Sequence, residues 1–264
     1  MEVYLRLEIH NLNPLPKMPK QPWEFDLAKR EADTKPLFII FCEDEVSEPY
    51  YFESFRSENI EINAIGGQKQ GMQNVFKAIE YCEKNGLLEG EGDKEKLIES
   101  NIKIWCAFDR DEGTISSVDF REAIRTAERR GFGAAWSNDN FELWILLHFQ
   151  DIDPDLPKNK ERKTYYKCLT EIFKNLPEQN EFMSKKTSHQ KFTYKKSFKW
   201  KPNFIQFVLP FLKEKKRRNL ALQHAKTLEA FHATPNKPNH EKAPCTTVHH
   251  LVEELLKFGG KEIV

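Results

Sequence analysis

LFIIFCEDE, residues Leu37–Glu45, is a continuous apolar run that ends abruptly in three carboxylates. An unbroken run of that length reads as a strand buried on both faces, because a half-exposed strand would alternate polar and apolar residues. IKIWCAFDRD, Ile102–Asp111, repeats the design: a near-continuous apolar run, then acid at Asp109 and Asp111. In an open parallel sheet ligands gather at the carboxyl ends of the strands, so both runs aim acidic groups at a functional edge.

The segments around these two runs complete an α/β pattern. A helix is predicted from Ser47, with Glu48 and Pro49 in its first turn. Ile60–Ile65 reads as a second strand, closed by Gly66-Gly67, and Gly71–Asn85 has helical spacing with Gly86 as its stop. Asn85–Lys96 is polar and reads as a surface loop. Ser117–Arg130 is a helix carrying Phe120, Ala123, Ile124 and Ala127 on one side, Gly133–Trp136 a short strand, and Asn140–Phe149 a buried helix. The alternation predicts a parallel sheet flanked by helices over residues 36–150.

Residues 1–35, with Pro14, Pro16, Pro19 and Pro22, show no sustained period and read as an irregular arm. Residues 151–264 read as a mainly helical, basic C-terminal region. Residues 159–175 and 203–232 have helical character, and a final amphipathic helix runs from Thr246 to Phe258. Between Lys158 and Arg218 basic side chains outnumber acidic ones by 18 to 5, whereas between Phe41 and Ile145 acids lead by 22 to 12. Blocks of opposite sign predict two functional surfaces in a chain whose formal net charge is zero.

The 264-residue chain is 39% hydrophobic and 31% charged, a composition for globular packing and against disorder. No apolar run reaches membrane-spanning length, and the N-terminus lacks the layout of a signal peptide. The five cysteines, Cys42, Cys82, Cys106, Cys168 and Cys245, form no CxxC pair. That spacing predicts reduced thiols in a cytoplasmic protein and argues against a cysteine zinc site.

Asp109 and Asp111 are two apart and point the same way in an extended segment. Glu43 faces them if the first and third strands are neighbours. Clustered carboxylates repel one another unless a cation sits between them, and hard oxygen donors favour Mg²⁺ or Mn²⁺. The plainer alternative is that acids after strands only cap the next helix, and Glu48 is open to that reading. Glu142 either caps its helix or reaches the acidic site. Ser137 and Asn138 either bind a phosphate or form a turn. His148, among Leu146, Leu147 and Phe149, reads as a core histidine.

Lys185-Lys186, Lys195-Lys196, Lys199 and Lys201 interleave with Phe192, Tyr194, Phe198 and Trp200. Lysines with aromatics suit single-stranded or looped nucleic acid, through phosphate pairing and base stacking, and Lys195, Lys196, Lys199 and Trp200 are the candidate contacts. The same pattern fits a half-buried hairpin with a charged outer face. Lys215-Lys216-Arg217-Arg218 reads as a helix end complementing its dipole.

FIIFCEDEVSEPYYFESFR, WCAFDRDE and SNDNFELWILLHF, with NLALQHAKTLEAF and TTVHHLVEELL in the tail, together resemble the RloB-like family of the Toprim superfamily. The resemblance covers roughly residues 37–258. It implies a Toprim fold in which Glu43 takes the position of the glutamate after the first strand, and Asp109 and Asp111 those of the DxD after the third. It also implies a Mg²⁺- or Mn²⁺-dependent nuclease of bacterial anti-phage or abortive-infection defence, working with an ATPase partner on DNA or RNA, tRNA included. Metal ligands would come from Glu43, Asp109, Asp111 and Glu48, and a homo-oligomer stays open. The competing expectation is a non-catalytic Toprim subunit that binds nucleic acid or assembles a complex. Two departures stand out: Asp44 replaces the usual glycine after the first glutamate, and Asp139 replaces a proline in the tripeptide before Phe141.

Overall fold

The computed structural model describes residues 35–260, apart from Glu99, Glu112 and 234–236. Almost all of the expected N-terminal arm therefore lies outside the described residues. β1 (Leu37–Cys42) is the interior strand expected from its apolar run, buried at every position. β2 (Glu61–Ile65) pairs with it on one side, and β5 (Ile102–Asp109) on the other. The short hairpin β3 (Leu88–Glu89) and β4 (Lys96–Leu97) stands apart, inside the segment expected to be a loop. β6 (Gly133–Asn138) pairs with β5 in parallel, and β7 (Cys245–Thr246) closes the edge antiparallel to β6. The sheet order is β2-β1-β5-β6-β7, so the first and third predicted strands are indeed neighbours.

Alternation along β1 divides the core in two, because successive side chains point to opposite faces. Leu37, Ile39 and Phe41 pack with α2 (Gly71–Lys84) and α3 (Ser117–Arg129). Phe38, Ile40 and Cys42 pack with α1 (Ser47–Glu53), α4 (Glu142–Leu147) and the helices of the C-terminal region. α1 is buried along its whole length, since the sheet lies on one side and later helices on the other.

The C-terminal region comprises α5 (Arg162–Asn175), α6 (Glu181–Thr187), α7 (Tyr194–Phe198), α8 (Lys201–Asn203), α9 (Leu209–Lys213), α10 (Lys215–His232) and α11 (Val248–Phe258). Its apolar residues belong to the same cluster as Phe38 and Trp144, so one core spans both halves of the chain.

Residues 203–232 are helical as expected, but in pieces: Phe204–Val208 forms a π-helical turn before Pro210, and Glu214 is extended between α9 and α10. Pro210 has no N–H to give, so regular i→i−4 bonding cannot run through it. The stretch Lys185–Lys201 is helical rather than a hairpin; Phe192, Tyr194 and Phe198 turn into the core and serve as its apolar face. Lys215–Arg218 opens α10 instead of ending a helix, so the dipole opposes these charges. Arg217 is compensated by Glu214 and Glu178 and stacks on Phe149 and Phe211.

Candidate metal centre

β1 and β5 end side by side, and their register pairs Cys42 with Ala107. β5 runs on past that pair through Phe108 to Asp109, and the Glu43 side chain reaches across to it: the Asp109 amide donates to Glu43 Oε2 at 3.0 Å. Asn74 Nδ2 donates to the Phe41 and Ala107 carbonyls, both at 3.2 Å, and so ties the two strand ends beneath the acids. Gly66 packs against the turn that follows β1; a Cβ there would lie 3.0 Å from the Asp44 carbonyl oxygen. The Gly66-Gly67 pair is thus a close backbone contact that shapes the acidic turn.

That turn is organised by its own side chains. The Asp44 carboxylate accepts from the Val46 and Ser47 amides, and Glu48 Oε2 accepts from the Asp44 amide at 3.1 Å. The amides at the start of α1 are met by Asp44 and not by Glu48, whose carboxyl is buried beside the other acids.

Asp109 is the centre. Burial pushes its carboxyl well above the usual range, and Glu43, Glu48, Glu142 and Asp111 all push the same way. Its Oδ1 is buried without a hydrogen-bond partner. Glu48 is likewise raised by burial and by Asp44 and Glu43. Glu43 is pushed up to about 7, chiefly by burial; hydrogen bonds from the Asp109 amide and Gln70 oppose the rise.

Two basic side chains close the flanks. Lys199 Nζ lies 2.9 Å from Glu142 Oε1 and 3.3 Å from Asp44 Oδ2. Burial alone would lower the Lys199 ammonium, but Glu142 and Asp44 hold it above the lysine range. Arg162 binds Asp111 Oδ1 at 2.5 Å and Asp139 at 2.6 Å, and Gln70 Nε2 donates to Asp111 Oδ2 at 2.9 Å. Glu142 accepts from Asn140 at 2.7 Å and from the Tyr166 hydroxyl at 3.0 Å. Its side chain makes no helix cap, so the alternative of reaching the acidic site is the one the fold adopts. Asp111 has φ of 45°, a left-handed conformation costly for a non-glycine residue, and Arg162 and Gln70 hold its side chain there.

The sequence pattern described as RloB-like protein matches residues 38–255. The chain belongs to the RloB-like family. No curated protein and no solved structure matches it.

Of the residues singled out by the RloB-like motifs, Glu43, Asp109 and Glu48 converge, with Glu142 beside them. Asp111 stands at the margin in the grip of Arg162. Lys199, expected on a substrate-binding surface, instead neutralises the carboxylates from within. Ser137 and Asn138 face the tail: Ser137 Oγ meets Thr246 Oγ1 at 3.0 Å, and Asn138 Nδ2 donates to the His240 carbonyl at 3.1 Å. His148 is a core residue between Tyr51 and the Trp144 carbonyl, pushed down to about 3 mainly by burial.

Gln70, Arg162 and Tyr166 went unnoticed in the sequence because each comes from a distant segment and carries no local motif. Lys195, Lys196 and Trp200 remain exposed, Trp200 at 62%. Lys195 lies over the Tyr166 ring, which links the basic rim to Glu142.

The donors are all carboxylate oxygens, the chemistry a hard divalent cation prefers, and an orphaned buried oxygen with two further carboxyls displaced upward by burial and mutual repulsion is a site short of positive charge. As they stand, no three of these carboxylates bring ligand atoms within 4.8 Å of one another, so side chains must move inward to enclose an ion.

Proposed function

We propose that this RloB-like protein is a Mg²⁺- or Mn²⁺-dependent nuclease of Toprim type that cleaves nucleic-acid phosphodiester bonds. The observation that carries the reading is the unpartnered, buried Asp109 Oδ1 among Glu43, Glu48 and Glu142 at the ends of neighbouring parallel strands.

Glu43 and Asp109 would hold the ion, with Glu48 behind them and Asp111 available once Arg162 releases it. A bound divalent ion supplies charge neutralisation on a phosphate oxygen and lowers the pKa of water. Glu43, beside the ion, would orient the attacking water as a metal ligand or take its proton as general base. Lys199 holds Glu142 and Asp44 in place, and its charge limits the repulsion that a single added cation must overcome. Lys195, Lys196 and Trp200 form the rim from which a nucleic-acid backbone and a base would be held.

The same reading makes the protein a defence effector in the bacterial cytoplasm, restrained by an ATPase partner. Its support is the RloB-like resemblance together with the five free cysteines. The Arg162–Asp111 pair favours a second reading, in which the site is kept closed and the chain serves as a nucleic-acid-binding or assembly subunit.

The deciding experiment incubates the purified protein with Mg²⁺ or Mn²⁺ and a mixed pool of DNA and tRNA, with and without a co-purifying ATPase. Cleavage that needs the metal and disappears in Asp109→Asn supports the nuclease. Nucleic-acid binding with no cleavage under any of these conditions favours the subunit.

A further inference from the structure

Away from the carboxylates, α10 and the first turn of α11 bring Glu229, His249 and His250 together. Glu229 Oε2 lies 3.0 Å from His249 Nε2 and 3.1 Å from His250 Nε2. One potential ligand atom from each residue falls within 4.8 Å of the others. The other nitrogen of His249, Nδ1, lies 3.1 Å from the Thr246 carbonyl oxygen.

These contacts conflict in a neutral imidazole. A ring carrying one proton can donate to the carbonyl or to the carboxylate, and whichever it chooses, the other contact sets two acceptors face to face. A doubly protonated ring would satisfy both. Yet His249 is 1% exposed, so a second proton on the ring would be shut away from water. Burial and the neighbouring His250 also lower its proton affinity.

A cation removes the conflict. Nδ1–H then donates to Thr246, the arrangement that commonly orients a metal-binding histidine, and the Nε2 lone pair is free for the ion. Two imidazoles and a carboxylate suit a borderline ion of the zinc class, unlike the all-oxygen set around Asp109. Ligand atoms about 2.0–2.1 Å from zinc stand about 3.3 Å apart in a tetrahedron. The observed separations of 3.0 and 3.1 Å need to widen by only a few tenths of an ångström. Glu229 and His250 are partly exposed, leaving a fourth position open to water.

We propose that Glu229, His249 and His250 bind one zinc-class transition-metal ion that pins α11 to α10. Such an ion would also secure β7, whose Thr246 carbonyl orients His249 and whose hydroxyl contacts Ser137 at the sheet edge.

The test uses the full chain without a polyhistidine tag, stripped by chelation, in the Asp109→Asn background so that the oxygen site does not contribute. Co²⁺ is titrated while its visible d–d absorption is followed, then displaced with Zn²⁺, and thermal unfolding is measured with and without zinc. One ion per chain with a low-coordinate cobalt spectrum is expected, together with a zinc-dependent rise in Tm. His250→Ala and Glu229→Gln, both at partly exposed positions, should each weaken binding by more than about 100-fold, beyond the 10–100-fold cost of losing a supporting partner. Lys226→Ala, which breaks the neighbouring bridge to Glu253, should leave binding unchanged. Failure to take up stoichiometric metal at micromolar zinc overturns the proposal, as does equal binding in His250→Ala or Glu229→Gln. The cluster would then be a hydrogen-bonded contact between helices.

Discussion

Asp109 is held where an ionised carboxylate is hardest to keep. Its side chain is buried, one oxygen has no donor, and four acidic neighbours oppose its charge. Removing that charge removes the repulsion and the anchor together. Asp109→Asn should therefore abolish Mg²⁺ or Mn²⁺ binding by calorimetry while leaving the metal-free protein as stable as the parent, or more so. Unchanged binding would sink the assignment. Glu43 adds a pH signature. Its carboxyl is raised from 4.5 to about 7 in the fold, so the native state binds more protons than the unfolded chain between those values. The associated stability is complete below about 4.5 and is lost as pH rises through about 7. In chelator, Tm should fall across that window; with Mg²⁺ the decline should flatten, because the cation takes over from the proton. A Tm that climbs over the same window without metal would contradict the burial described here.

At the scale of elements, the acidic turn and α7 are bound into one unit by Lys199. The ammonium bridges Asp44 at the entry to α1 and Glu142 at the start of α4. Lys199→Ala leaves the buried Glu142 carboxylate and the partly exposed Asp44 without their cation, and should cost about 3 kcal/mol in denaturant unfolding, the low end for breaking a buried pair. Adding Glu142→Gln should recover part of that loss, since the side chain most dependent on Lys199 no longer carries charge. Strictly additive losses in the double variant would show that Lys199 stabilises by packing alone. This bridge bears on Asp44, which carries one of the carboxylates of the acidic turn. Burial alone would raise Asp44; the Lys199 ammonium and the Val46 and Ser47 amides outweigh it and hold the carboxyl below its ordinary value.

For the molecule as a whole, the two halves share a core. Phe38 and Trp144 lie in one cluster with Phe173, Leu212 and Leu251, and β7 supplies the last strand of the sheet. A fragment of residues 36–150 would expose that apolar surface, so it should lack a cooperative melting transition; a sharp transition would show that the α/β half is self-sufficient. The charge asymmetry acts at the same scale. If Lys195 and Lys196 grip a phosphate backbone, replacing both by alanine should make the salt dependence of nucleic-acid binding shallower by about 0.7–0.9 per lost contact. Trp200→Ala should instead cost about 1–3 kcal/mol of binding with little change in slope. An unchanged slope in the double lysine variant would reduce the stretch to a solvated face.

Apolar periodicity in the sequence was enough to establish the parallel strands, the helices covering them and the placement of Glu43 and Asp109 at strand ends. Those signals are local: burial on both faces demands unbroken apolar runs, and acids cannot continue such runs. The motifs likewise marked the family. What the sequence left undecided is what long-range packing settles. Whether Glu142 capped its helix or entered the site depended on Lys199 and Tyr166, which lie 57 and 24 residues further along the chain. The role of Lys199 was illegible because a lysine in a basic, aromatic stretch looks the same facing solvent or facing carboxylates. Arg162, at the start of α5, and Gln70, just before α2, reach Asp111 from separate segments, and β7 is too short to leave a pattern of its own. A strand end can announce a carboxylate, but only the packed chain determines which charges answer it.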